Sequence, residues 1–386
     1  MPPTEATRPW PRRHRRALRL GGALLVLVLL AVGAAVSWHF SSAVVVPDHS
    51  PWARNTTVEA LTPGAVVLSR SAETLRPGVY GLKWPGGHAI VEGVLDRGAH
   101  TVRRRLAALH GHLAPSTRVA VDSTTYEGNP TEALGLPFAN VAVPDELGPM
   151  PAWLVPGRSA TWAIIVHGIN ANRYDGLRIV PPLHASGLPT MLITYREDVG
   201  APASPDGKHH MGLTEWRDLQ AAARYALSHG ARRLVLVGYS MGGAIVTQFM
   251  EHSALAHRVA ALILDAPALN WKAVLSFNAS EMGLPSFAAD PVEWMIGLRI
   301  DADWNSLDAV RHTADFHLPI LLFHGTGDTL VPIATSDAFA RALPRWVTYY
   351  RVPGAEHVES WNVNPQLYDR RVTAFLEAHA RALTGS

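Results

Sequence analysis

Residues 233–252, RLVLVGYSMGGAIVTQFMEH, pass from branched apolar side chains through a glycine-flanked serine into an apolar segment with helical spacing. This is a strand feeding a helix through a tight turn, because small residues two before and two after Ser240 let the backbone cross itself closely. Ser240 is thereby placed at the carboxyl edge of a sheet and at a helix N-terminus. On either side of it, short apolar runs alternate with amphipathic segments, the pattern of a parallel sheet covered on both faces. The runs are Ala139–Val143, Ala152–Val155, Thr161–Val166, Thr190–Thr194, Arg233–Val237, Val259–Leu264, Ile320–Phe323 and Val347–Val352, which makes eight strands. Helical spacing falls at Leu177–Ser186, Thr214–His229, Met241–His252 and Pro365–Leu383.

A serine hydroxyl is a weak nucleophile without a base, and an imidazole needs a carboxylate to orient it. Two later strand ends supply both in the chain order Ser, Asp, His. PILLF runs into His324-Gly325-Thr326-Gly327-Asp328, and VTYYRV runs into Pro353-Gly354-Ala355-Glu356-His357. Among 19 histidines, His357 is singled out by lying in a loop after the last strand, whereas His379 falls inside a helical pattern. Asp265, at the end of LILD, is the rival acid. TWAIIV ends in His167-Gly168-Ile169-Asn170, so the backbone amides of Ile169 and Met241 are the expected oxyanion donors. His167 reads as a structural residue of that loop.

HGIN, GYSMGG, HGTGDTLVP and GAEH, each following a strand, together resemble the α/β-hydrolase superfamily over about residues 137–383. TYRED followed by LTEWRDLQAA is similar to bacterial serine aminopeptidase-like and prolyl-oligopeptidase-like members. The resemblance implies an α/β-hydrolase fold and a carboxylester, thioester or peptide-type acyl bond as substrate. No metal or cofactor is required by a Ser240–Asp328–His357 mechanism.

The stretch between the sixth and seventh strands, about 268–318, exceeds a simple loop and reads as a short lid. Its Trp271, Leu275, Phe277, Met282, Leu284, Phe287, Trp294, Met295 and Leu298 suit either an acyl or aromatic acid substrate or plain packing. Tyr239, Asn170, Trp271 and Phe277 are the expected substrate contacts. A small-molecule or lipid-like acyl substrate is the expected partner. The alternatives are a peptidase or acyltransferase on the same residues, or a membrane-tethered binding module without turnover.

Upstream, residues 20–40 hold an uncharged apolar run, Leu20–Val36, followed by Trp38, His39 and Phe40. At ~1.5 Å per residue it approaches the ~30 Å hydrocarbon thickness. Arg8, Arg12, Arg13, Arg15, Arg16 and Arg19 precede it, so a basic cytoplasmic tail at 1–19, an uncleaved single-pass transmembrane anchor at 20–40 and an extracytoplasmic catalytic domain are expected, with secretion after signal cleavage as the alternative. Setting aside those arginines and Glu5 leaves 28 basic against 31 acidic residues, so no surplus basic face remains to favour nucleic acid. The absence of cysteine excludes disulfides, thiolate metal sites and a cysteine nucleophile. Residues 41–62 read as a spacer. Residues 63–136 read as a small β-rich accessory domain, with strands at Ala65–Ser69, Val79–Trp84, Ala89–Leu95 and Arg118–Val121, a hairpin turn (the alternative being a binding loop) at Trp84–His88 and a helix at Thr101–His110. Residues 137–386 form the catalytic domain.

Overall fold

The first long element is α1 (Arg12–Val45), a helix without an acidic residue or a proline. The computed structural model describes residues 12–50 and 52–384; the expected tail at 1–19 lies outside the described residues up to position 11, and up to position 18 in its side chains. One described helix is long and apolar enough to cross a membrane, over Arg19–Val45.

Six antiparallel strands then close a barrel: β1 (Thr56–Thr62), β2 (Ala65–Ser69), β3 (Tyr80–Trp84), β4 (Gly87–Arg97), β5 (Thr101–His110) and β6 (Arg118–Asp122), with the one-turn helix α2 (Ala72–Leu75) between β2 and β3. They run in the order β1-β2-β5-β4-β3-β6, and β6 pairs back onto β1. Val58, Leu68, Leu82, Val91 and Val119 fill the interior. The spacer read at 41–62 is shorter than expected, because α1 continues to Val45 and β1 begins at Thr56, burying Thr56 and Val58 in alternation. The β-rich region therefore starts seven residues earlier than read. The helix read at Thr101–His110 is instead β5. Its inward position next to Val102 is taken by Arg104, whose guanidinium is buried and donates to the carbonyls of Thr74, Arg76 and Gly78 at 3.2, 2.7 and 2.7 Å. A charged residue on the inner face hides the two-residue alternation of a strand.

After α3 (Pro130–Leu134) comes one sheet of eight strands: β7 (Ala139–Val143), β8 (Met150–Val155), β9 (Thr161–Val166), β10 (Thr190–Ile193), β11 (Arg233–Tyr239), β12 (Val259–Asp265), β13 (Ile320–Gly325) and β14 (Val347–Val352). The order is β14-β13-β12-β11-β9-β10-β8-β7, parallel except for β8, which pairs antiparallel with β10 and β7. Central strands such as β9, TWAIIV, are buried throughout, as a sheet covered on both faces requires. α4 (Val180–Ala185) lies on one face; α5 (Trp216–Ser228) and α6 (Met241–His252) lie on the other, where Leu219, Ala222, Ala226, Ile245 and Phe249 pack against Leu234 and Leu236. The stretch read as a lid holds α7 (Trp271–Glu281) and α8 (Asp290–Ile300). α9 (Ile333–Ala342), α10 (Ser360–Val363), α11 (Pro365–Ala378) and α12 (Ala380–Thr384) complete the chain. Every loop that carries candidate chemistry leaves the same carboxyl edge of the sheet.

Candidate active site

Ser240 sits between β11 and α6 with φ 52° and ψ −119°. A residue with a Cβ adopts this region only at a cost of ~1–3 kcal/mol, so the surroundings must hold it there. Three backbone bonds do so: Ser240 N donates to the Asp265 carbonyl at 3.1 Å, and the Ser240 carbonyl accepts from Gly243 N at 2.9 Å and Ala268 N at 3.0 Å. The glycines read from the sequence are steric necessities. A Cβ on Gly242 would overlap the Val166 carbonyl, and one on Gly238 would lie 2.6 Å from the Gly242 oxygen.

His357 Nε2 lies 2.8 Å from Ser240 Oγ, and His357 Nδ1 lies 2.8 Å from Asp328 Oδ2. The other carboxylate oxygen of Asp328 accepts from Leu330 N at 2.9 Å and Val331 N at 2.8 Å. Burial alone would raise this carboxyl, but hydrogen bonds from His324 and His357 and from the Val331 amide hold it well below the usual carboxylate range. An ionised Asp328 accepts a hydrogen bond from the Nδ1–H of His357, which leaves Nε2 free to accept from the Ser240 hydroxyl. The rival, Asp265, points elsewhere: its Oδ1 accepts from Ser360 Oγ at 2.7 Å, and burial pushes its carboxyl up to about 6.

The HGIN loop is fixed from behind. His167 Nε2 meets Asp198 Oδ2 at 2.8 Å and its Nδ1 meets the Gly168 carbonyl at 2.9 Å. Burial alone would lower this imidazole, but Asp198 raises it above its ordinary value. The Gly168 carbonyl also accepts from Tyr195 OH at 2.7 Å. Across a trans peptide, C=O and N–H point opposite ways, so fixing the Gly168 oxygen fixes the direction of the Ile169 amide. Met241, the first residue of α6, has no intrahelical acceptor for its own amide.

Residues 200–382 match the prolyl oligopeptidase family, and residues 57–122, the barrel, match a domain of unknown function, DUF8805. The chain is a serine hydrolase of the α/β-hydrolase fold. An uncharacterized protein of Mycobacterium tuberculosis is 26% identical over 238 residues, 60% of this chain and 74% of that protein. The esterase Pf2001 of Pyrococcus furiosus superposes with a TM-score of 0.53 at 18% identity, covering 66% of this chain and 95% of that one. A second crystal form of that esterase gives 0.52 at 19% identity, covering 65% and 94%.

In the hydrolase, Ser240 opens into a cavity of about 470 Å³ walled by Ile169, Trp271, Leu275, Met282 and Val292, and on one side by α1. Of the four expected substrate contacts only Trp271 lines it. Tyr239 is buried on the opposite face of the sheet, its ring 5.5 Å from the Arg178 guanidinium, because side chains alternate across a strand. Asn170 is used in a brace, its Oδ1 accepting from Asp48 N at 2.9 Å and facing His209 Nε2 at 3.0 Å. Phe277 is half-buried on α7 but lies outside the cavity wall. Among the described residues, no group of three or more His, Asp or Glu side chains is arranged to hold a metal ion.

The loop bearing His357 has supports that no motif announces. Val358 takes φ 57°, a strained value for a β-branched residue. Arg178 Nη1, fully buried, donates to the Val358 carbonyl and to Asn362 Oδ1, both at 2.8 Å. Asn362 Nδ2 in turn donates to the Val79 and Ser123 carbonyls of the barrel region at 2.7 and 2.8 Å. A lone arginine within the apolar run LRIVPPL is the single sequence signal for this network.

Proposed function

We propose that the hydrolase cleaves carboxylic esters with an apolar acyl part, using Ser240 as nucleophile, His357 as base and acid, and Asp328 as the orienting carboxylate. The reading rests chiefly on the 2.8 Å contact between Ser240 Oγ and His357 Nε2 at the mouth of an apolar cavity. Ser240 Oγ attacks the ester carbonyl carbon while its proton passes to His357 Nε2. The amides of Ile169 and Met241 take the oxyanion, each such donor being worth about 3–4 kcal/mol of barrier. The tetrahedral intermediate collapses, the carbonyl–alkoxide bond breaks, and the Nε2 proton goes to the departing alcohol. Water then attacks the acyl-enzyme, giving its proton to His357, and the acid leaves as Oγ recovers that proton.

Ester is favoured over an aminoacyl bond because, among the described residues, the cavity wall carries no carboxylate to hold a substrate amine; its polar members are Ser37, Ser240 and Asn278. The family match over 200–382 favours peptide-type bonds as the second reading. In the same proposal α1 anchors the protein in the cytoplasmic membrane, with its arginine-rich start inside and the catalytic fold outside. A panel of p-nitrophenyl acyl esters against aminoacyl p-nitroanilides, run on wild type and Ser240→Ala, tests the reading. Esters should carry the higher kcat/KM and the substitution should abolish turnover; preference for the anilides, or turnover surviving in Ser240→Ala, would sink it.

A further inference from the structure

One wall of the cavity beside Ser240 lies outside the hydrolase fold. Gly33, Val36, Ser37, Phe40 and Val44 recur at three- and four-residue spacing, so they share one face of α1, and that face closes the cavity opposite α7 and α8. Gly33 to Val44 spans roughly 17 Å of helix at ~1.5 Å per residue. If Trp38 marks the outer interface, Gly33 lies roughly 8 Å deeper, within the layer of acyl chains.

The lid shares this orientation. Arg299 of α8 donates to Ser41 Oγ at 2.7 Å and Ser42 Oγ at 2.8 Å, and its guanidinium lies 4.1 Å from the Trp38 ring centroid. This clamp fastens the lid to the outer end of α1. Phe287, Trp294 and Leu298 of the lid are each about two-thirds exposed, as are Leu24, Leu27 and Leu30 of α1. Met282 and Leu284 line the cavity and are also half-exposed, which marks its rim on the same apolar surface. So large an apolar surface, continuous with a membrane-length helix, is matched by a bilayer.

We infer that the hydrolase takes its substrate sideways from the bilayer that holds α1, and that this substrate is a long-chain acyl ester of a membrane lipid. The acyl chain lies along the Gly33–Val44 face of α1 while the ester carbonyl reaches Ser240. The chain thus passes from hydrocarbon to an apolar cavity without crossing water. The inference rests on Ser240 being the nucleophile and α1 the anchor.

The test uses full-length protein in proteoliposomes, with rates counted per site that reacts with a fluorophosphonate. 4-Methylumbelliferyl palmitate placed in the protein's own bilayer should be cleaved at least tenfold faster than the same ester held in separate protein-free vesicles. Gly33→Phe puts a ring where a Cβ meets nothing within 4 Å. It should lower the ratio of palmitate to acetate ester hydrolysis tenfold, whereas Leu29→Phe, outside the cavity wall, should leave that ratio within twofold. Equal cleavage from both vesicle populations, or equal ratios in the two variants, would overturn lateral access while leaving esterase chemistry intact. Wild type that neither labels nor cleaves the acetate ester would overturn the proposed function and this inference with it.

Discussion

Arg76 Nη1, at the end of a one-turn helix in the barrel region, lies 2.6 Å from Oε1 of Glu359, two residues beyond His357. Tyr80 OH of β3 donates to the other oxygen of the same carboxylate at 2.9 Å. With the Asn362 bonds, these contacts make the barrel a brace for the histidine loop. Arg76→Ala should lower kcat about three- to tenfold with KM little changed, because displacing a base slows the chemical step rather than binding. Steady-state kinetics on a soluble acetyl ester measure this, and an unaltered kcat would remove the barrel from the positioning of His357.

The two candidate acids make opposite demands. Asp328 holds His357 Nδ1 at 2.8 Å, whereas Asp265 bonds Ser360 instead. Asp328→Asn should therefore cost about 10³–10⁴ in kcat, the scale seen when an imidazole loses its orienting carboxylate. Asp265→Asn should cost less than about tenfold, being a change in a supporting bond. The reverse order would assign the acid to β12.

Tyr195 touches no substrate cavity, yet its hydroxyl holds the Gly168 carbonyl at 2.7 Å. Tyr195→Phe keeps the ring stacked on His167, whose centroid lies 4.6 Å away, and removes only that bond. The Ile169 amide then loses part of its aim, and kcat should fall about tenfold at constant KM, less than the loss of a whole oxyanion donor. A fall in affinity without a change in kcat would mean that the loop shapes the pocket and not the transition state.

The edge carrying Ser240, Asp328 and His357 is legible because each residue lies in the turn or loop that follows an apolar run, and strand ends can be read without knowing the neighbours. Tyr239 was misread because its position next to Ser240 says nothing about which face of the sheet its ring takes. β5 was misread because Arg104 breaks the inward alternation, and only the carbonyls of Thr74, Arg76 and Gly78, far along the chain, satisfy it. The same limit hides the place of α1 in the cavity wall. Gly33 and Val36 look like any members of an apolar run until the lid folds against them.

Glu251, at the end of α6, is a pH-sensitive element of stability. Burial pushes its carboxyl from 4.5 up to about 8, with Asp315 and Asp308 adding to the rise. One of its oxygens, Oε1, has no hydrogen-bond partner, and His312 Nδ1 lies 4.0 Å from the other. The folded protein keeps this proton up to about pH 8 while the unfolded chain releases it near 4.5. Its contribution is thus fully present below pH 4.5 and is lost progressively as pH rises to about 8. Glu251→Gln should leave the melting temperature near wild type at pH 5 and raise it by about 2–4 °C at pH 8.5, the effect of a kcal/mol or two. Melting curves at the two pH values check this, and a variant destabilised at pH 8.5 would show that the ionised form is needed.

The most direct measurement is the site of fluorophosphonate modification, mapped by mass spectrometry on the full-length protein alongside residual ester hydrolysis. One adduct per chain is expected, on the peptide containing Ser240, with activity falling in proportion and with neither label nor turnover in Ser240→Ala. An adduct on another serine, or folded protein that hydrolyses esters while Ser240 stays unmodified, would show that the nucleophile lies elsewhere.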